Sequence, residues 1–357
     1  MSTVIQASFA IAVVTAITAV AIPAAAQSNP YRQVEGPEPP AHMNGGEWGE
    51  LIGVDVDPQG NVWVLHRCFK TVLGHPRIVP GDSDGQSANC LGPWAAHPAI
   101  MKFSPSGEFL TSFGEGVFGR PHGLAVDHEG NVWAVDDNSY TSAPGVGHVV
   151  YKFSPDGELL LTLGKVGMAG DGVDTFDRPT DVAVAPSGEI FVTDGHGQNN
   201  RVVKFSSEGD FILSWGNTGS EPGNFNQPHT IAIDSQGRVF VGDRGNDRVQ
   251  IFDGDGTFID EWTQFGRPSG ISINRATDML YVTDSTSNSR SAPGARRGIY
   301  IGSAVTGELM HFIPDPDLED MEWTRITGAS GIAADATDTV VYAADVAPHQ
   351  LRKYVRR

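Results

Sequence analysis

Cysteine is nearly absent: 357 residues hold two, Cys68 and Cys90. That number excludes a small fold stapled by a disulfide framework. Positive charge is also scarce. Lys and Arg total 24 against 43 acids, for a net charge of −19. With no basic footprint to offset the repulsion, neither nucleic acid nor an anionic lipid surface is an expected partner. After residue 26 no apolar run is long enough to span a bilayer. What is present is a chain 39% hydrophobic and 19% charged, enough to bury a large core. It carries 43 Gly and 23 Pro without a collagen period, the turn-rich composition of an all-β protein of many short strands.

The N-terminus reads as an export signal over residues 1–26. Phe9 to Ala26 are apolar and end in Ala24-Ala25-Ala26, a small-residue cleavage pattern, although the leading MSTVIQAS has no Lys or Arg. An uncleaved membrane anchor is the alternative. Cleavage places the mature chain in the periplasm or outside the cell, with no membrane attachment. In an oxidising compartment Cys68 and Cys90 are expected to pair across a Gly/Ser/Asp-rich insertion. The other reading, a thiolate metal or redox pair, lacks a close Cys or His partner at typical spacing.

A repeat organises the rest. Five copies read PHGLAVDHEGNVWAVDD (121–137), PTDVAVAPSGEIFVTDG (179–195), PHTIAIDSQGRVFVGDR (228–244), PSGISINRATDMLYVTDS (268–285) and ASGIAADATDTVVYAADV (329–346). A sixth, LIGVDVDPQGNVWVLHR (51–67), lacks the proline. Each is an alternating apolar strand, an acidic turn and an aromatic-rich second strand, and several continue into a third strand and turn, as in RVVKFSSEGDFILSWG. Period-2 alternation bounded by such turns predicts four-stranded antiparallel sheets. Six sheets packed radially bury each other's faces, so the fold class is all-β, a six-bladed β-propeller over residues 48–357. A β-solenoid is disfavoured by the long, unequally spaced copies. Within the N-terminal segment 27–47, Tyr31 to Gly36 are placed to add the outer strand of the last blade and close the ring.

Equivalent positions at the start of the innermost strands are Ile52, His122, Thr180, His229, Ser269 and Ser330. A second ring, just past the second strands, holds Arg67, Asp137, Gly195, Arg244, Ser285 and Val346. Both are expected at one mouth of the central channel. His122 and His229 then converge as two imidazoles of a divalent metal site, or each bonds a neighbouring backbone group. Arg67 and Arg244 suit a carboxylate-bearing ligand, or form salt bridges between blades. The acids that recur at the end of the second strand (Asp136, Asp194, Asp243, Asp284, Asp345) read as turn and inter-blade hydrogen bonding. His196 is open to three roles: a third ligand, proton transfer, or a solvated loop residue.

These segments resemble the NHL-repeat propellers and, among them, the peptidyl-α-hydroxyglycine α-amidating lyases, over roughly residues 48–355. The resemblance implies a channel zinc held by three histidines and a hydroxyglycine-ended peptide as substrate. The C–N bond of the carbinolamide is split to a peptide amide and glyoxylate, with the zinc acting as Lewis acid. By position, His122 and His229 match two zinc histidines, and Arg67 and Arg244 match two mouth arginines. Val54 and Leu124 match positions whose backbone carbonyls bind a structural calcium. Ala329-Ser330-Gly331 stands where the family carries its third histidine and its calcium aspartate, and His196 stands where it carries a catalytic tyrosine. The expected function is therefore a metal-dependent C–N lyase acting on a small substrate or peptide C-terminus with a carboxylate, using His196, Arg67 and Arg244, and working as a monomer. A non-catalytic propeller that binds a peptide, sugar or protein partner is the alternative. The insertion 69–98, with His75, Trp94 and His97, is the candidate lid.

Overall fold

In the repeat LIGVDVDPQGNVWVLHR every second residue is apolar and the break between strands carries Asp and Gly. Its counterpart in the computed structural model is a tight hairpin. The structure describes residues 28–43, 46–68, 90–91, 95–138, 144–287, 294–316 and 328–357. The expected export signal, residues 1–26, lies outside them, as do His75 and Trp94 of the insertion.

Strand β1 (Tyr31–Val34) comes first. Blade 1 is β2 (Glu50–Val56), β3 (Val62–Arg67), β4 (Ile100–Phe103) and β5 (Phe109–Phe113). Blade 2 is β6 (Pro121–Val126), β7 (Val132–Asp136), β8 (Val149–Phe153) and β9 (Leu159–Gly164). Blade 3 is β10 (Asp181–Val184), β11 (Ile190–Asp194), β12 (Arg201–Phe205) and β13 (Phe211–Trp215). Blade 4 is β14 (Pro228–Ile233), β15 (Val239–Asp243), β16 (Arg248–Phe252) and β17 (Phe258–Trp262). Blade 5 is β18 (Gly270–Asn274), β19 (Met279–Asp284), β20 (Gly298–Ser303) and β21 (Leu309–Pro314). Blade 6 is β22 (Gly328–Ala334), β23 (Val340–Ala347) and β24 (Leu351–Arg356), with β1 as its outer strand. The protein is a six-bladed all-β propeller.

The acidic turn is a built unit. Asp57 Oδ1 accepts the backbone N–H groups of Gln59 (3.0 Å) and Asn61 (2.8 Å), while Oδ2 accepts the indole N–H of Trp63 at 3.1 Å. Asp127 repeats this with Glu129, Asn131 and Trp133. The glycine inside these turns, Gly60 and Gly130, has φ of 82° and 86°, which a side chain would strain. One carboxylate thus ties the turn to the first aromatic of the second strand.

The acids closing the second strands do a different task. Asp136 accepts the N–H groups of Gly119 and Arg120, both at 2.7 Å. Asp194 accepts that of Asp177, Asp243 that of Asn226, and Asp284 that of Arg267. Each acid anchors the connector that leads into its own blade, which is why it recurs.

Apolar side chains pack between blades. Trp63, Leu65 and Phe113 of blade 1 meet Leu124, Tyr151 and Phe153 of blade 2. The other five interfaces repeat the arrangement, through to Leu51, Val64 and Met101 against Ala333, Tyr342 and Leu351 between blades 1 and 6. Cys68 and Cys90 form a disulfide, with Cα atoms 5.1 Å apart, at the base of the insertion. Among the described residues no helix is long and apolar enough to cross a membrane.

Closure is made by both chain ends. β1 pairs antiparallel with β24, Tyr31 opposite Arg356 and Val34 opposite Lys353. Tyr31 is buried, packs in the core between blades 5 and 6, and donates its hydroxyl to the Asp338 carbonyl at 2.8 Å. Replacing Tyr31 by Ala is expected to lower stability by about 3 kcal/mol, from lost aromatic burial. Urea titration checks this, with a lower midpoint and an unchanged slope as the expected result.

Candidate metal site at the channel mouth

The innermost strand of every blade begins at the same level, so the repeat position that precedes the alternating run is delivered to the axis six times. Ile52, His122, Thr180, His229, Ser269 and Ser330 all line one narrow waist of the channel. Its free volume is about 40 Å³, room for a few waters. The second ring lies beside it: the hydroxyls of Ser269 and Ser285 are 2.8 Å apart. The waist opens on the opposite side into a wider cavity of about 570 Å³.

Three histidines meet at this mouth. The ring centroids of His122, His196 and His229 form a triangle with sides of 4.6, 4.7 and 5.0 Å. Their ligand nitrogens all lie within 4.8 Å of one another. Two metal–nitrogen bonds of about 2.1 Å span at most about 4.2 Å, so the three are close to ligating separation.

The hydrogen bonds decide which nitrogen is offered. His122 Nδ1 is 2.7 Å from the Thr180 carbonyl, and His229 Nδ1 is 2.7 Å from the Ser269 carbonyl. A carbonyl only accepts, so both Nδ1 atoms carry the hydrogen and both Nε2 atoms keep a lone pair. Burial, reinforced by neighbouring positive groups, pushes both imidazoles well below the usual histidine range. Burial also lowers His196, to about 4, against the opposing pull of Asp137. At neutral pH the three rings are uncharged donors. Neutral imidazole lone pairs converging from three sides fit a zinc-type ion with one position left open.

The sequence placed His122 and His229 here as a pair and left His196 undecided; the structure brings His196 into ligand range of both. Arg244 opens a short 3-10 turn, Arg244–Asn246. Its Nη2 lies 3.3 Å from Gln227 Oε1 and 3.5 Å from His196 Nε2, so a guanidinium sits at the nitrogen cluster. Arg67 is differently engaged. Its Nη1 donates to Glu50 Oε2 at 2.8 Å and its Nε to the Pro121 carbonyl at 3.2 Å. The salt-bridge reading is the one realised for Arg67, but within blade 1 rather than between blades.

Calcium does not fit. Val54 and Leu124 line the waist, but position 331 offers no carboxylate. A Cβ at Gly331 would stand 2.9 Å from the Ile52 carbonyl oxygen and 3.0 Å from the Val54 nitrogen, so no aspartate has space there. Asp55 and Asp181, the nearby channel acids, are turned to backbone N–H groups of Val56 and Val126, and of Val182 and Ile231.

Three residues of this mouth carried no role in the sequence reading: Glu50, Arg120 and Asp137. Asp137 accepts from His196 Nδ1 at 2.8 Å and from Arg120 Nη1 at 3.1 Å. The signal that could have given it a role is the Asp136-Asp137 doublet, where four other blades place a single acid before the ring position and blade 1 places His66.

The NHL repeat family model matches residues 176–205 and 225–252, in blades 3 and 4. Human NHL repeat-containing protein 3 is 33% identical over 271 residues, covering 72% of this chain and 73% of that protein. Peptidyl-alpha-hydroxyglycine alpha-amidating lyase 1 of Drosophila melanogaster is 35% identical over 228 residues, covering 60% of this chain and 40% of the fly protein. A gluconolactonase from Xanthomonas campestris shares the fold, with a TM-score of 0.56 at 14% identity, over 91% of this chain and all of that one (100%). The repeats, the six closed blades and a relative matched along most of both chains agree: this chain belongs to the NHL repeat-containing proteins, with amidating lyases among its homologues.

Proposed function

We propose that the protein is a metal-dependent lyase that splits a carbon–nitrogen bond in a small substrate or peptide C-terminus bearing a carboxylate. The observation that carries this reading is the convergence of three uncharged histidines, His122, His196 and His229, at one channel mouth. The names of the homologous lyases supply the reaction class. The three Nε2 atoms would hold a zinc ion, which when bound supplies a Lewis acid to a substrate oxygen.

The chain's own residues supply binding and orientation. Arg244 reaches the nitrogen cluster and presents a planar fork suited to a carboxylate. Arg67, its charge paired with Glu50 and its Nε bonded to the Pro121 carbonyl, stiffens the rim. Ser269, Ser285 and Ser330, from blades 5 and 6, give the opposite wall hydroxyls rather than further ligands. With His196 taken up as a ligand, its role differs from that of the tyrosine carried there by the resembled family. In this reading the mature chain is exported to the periplasm or beyond and acts as a monomer.

The test separates ligand from scaffold. His122→Asn and His229→Asn retain a donor near the Nδ1 position, so the bond to the next blade survives while the Nε2 lone pair is lost. Both Asn variants are expected to melt near the wild type and to bind no zinc, whereas His122→Ala also loses stability, by about 1–3 kcal/mol for the unsatisfied carbonyl. Plasma mass spectrometry after dialysis and thermal melts read the two effects. A synthetic peptide ending in α-hydroxyglycine is expected to release glyoxylate with zinc present. Zinc bound without glyoxylate release would move the protein to the non-catalytic ligand-binding class. Arg244→Ala is expected to raise KM about 10- to 100-fold for the same peptide, the loss of one charge-assisted grip, with kcat changed less.

A further inference from the structure

His196 is held unlike its two partners. His122 and His229 lie on the inner strands β6 and β14 and lean on neutral carbonyls of the following blade. His196 lies on the loop after β11, fixed by its backbone N–H to the Arg178 carbonyl at 3.1 Å. Its ring leans backward onto blade 2, onto the fully buried carboxylate of Asp137. Arg120 Nη1 clamps both oxygens of that carboxylate, at 3.1 and 3.3 Å. The backbone N–H of Asp137 donates to the Arg120 carbonyl at 3.1 Å, so the two residues are tied twice.

A buried ion pair is a weak source of stability, since taking both charges out of water offsets their attraction. Nor does the repeat require it. The equivalent positions hold Arg67, Gly195, Arg244, Ser285 and Val346, none of them acidic. What the pair does have is a third member, the imidazole of His196.

We propose that Asp137, aimed by Arg120, is a positioning residue that recruits the loop histidine His196 as the third nitrogen of the site. The inference rests on the metal reading of the three histidines. An ionised carboxylate accepts and cannot donate, so His196 Nδ1 must carry the hydrogen. The guanidinium 3.5 Å from His196 Nε2 can only donate, which agrees with a lone pair on that atom. The same device, a carboxylate behind a histidine, fixes ring orientation and tautomer in metal sites generally. Here it explains how blade 3 supplies a nitrogen that Ser330 of blade 6 does not.

The experiment uses the mature protein labelled with ¹⁵N-histidine, wild type and Asp137→Asn, metal-free, with long-range ¹H–¹⁵N spectra to assign each tautomer. A parallel competition titration with zinc gives affinity. Wild-type His196 is expected as the Nδ1–H form. In Asp137→Asn its signal is expected to shift toward a tautomer mixture, with His122 and His229 unchanged and zinc affinity lower by about 10- to 100-fold. Unchanged zinc affinity together with an unchanged His196 signal in the variant overturns the proposal. A wild-type protein that binds no zinc but shows His196 locked, and released in Asp137→Asn, sinks the metal reading and leaves the positioning role standing. If Asp137→Asn does not fold, the wild-type spectrum still decides, since an Nε2–H form of His196 overturns the proposal directly. Arg120→Gln, which keeps the carboxylate but not its clamp, is expected to lower zinc affinity less than Asp137→Asn does.

Discussion

Every propeller blade has an inner strand edge with no neighbouring strand, the edge that faces the channel. Its carbonyls and N–H groups must find partners or lie unsatisfied around a narrow waist. In this protein a side chain from one blade answers the backbone of the next. Arg67 donates to the Pro121 carbonyl, His122 to Thr180, Thr180 to Pro228, His229 to Ser269 and Thr283 to Ser330. Asp55 and Asp181 do the same for N–H groups of Val126 and Ile231. The site inherits its geometry from this stitching.

Two readings of the histidines at the repeat position competed: a metal ligand, or a ring bonded to a neighbouring backbone group. The structure shows the backbone bond, and the two readings are compatible. One nitrogen of His122 serves the scaffold by bonding blade 3, and that bond sets the tautomer that leaves the other nitrogen available. Thr180, at the same repeat position, does the scaffold task with its hydroxyl, 2.8 Å from the Pro228 carbonyl and 2.8 Å from the Thr193 hydroxyl. At this repeat position His122 and His229 satisfy the edge with one ring nitrogen and keep a second one.

The architecture was legible because it rests on periodicity. Alternation, Asp-Gly turns and the repeat spacing gave the blades, the ring of six channel residues and the pairing of Tyr31 with the last blade. Those depend on local rules repeated six times. The third histidine was only half legible, because His196 lies outside the repeat frame, on a loop whose course depends on residues in blade 2. Arg67 shows the same limit. Its position in the ring follows from the repeat, but its partner Glu50 lies before the repeated stretch begins, so spacing carried no trace of the pair. Asp137 was placed in the mouth ring by the repeat but given no role, because its partners Arg120 and His196 both lie outside the repeat frame.

The last blade is built from both ends of the chain, β1 against β24. Synthesis runs from one end to the other, so the segment around Tyr31 leaves the ribosome long before its partner exists. Five blades can assemble in order behind it, yet the circle stays open until β24, Leu351–Arg356, emerges. A chain lacking β24 would accordingly lose the clasp of the whole ring rather than a single edge.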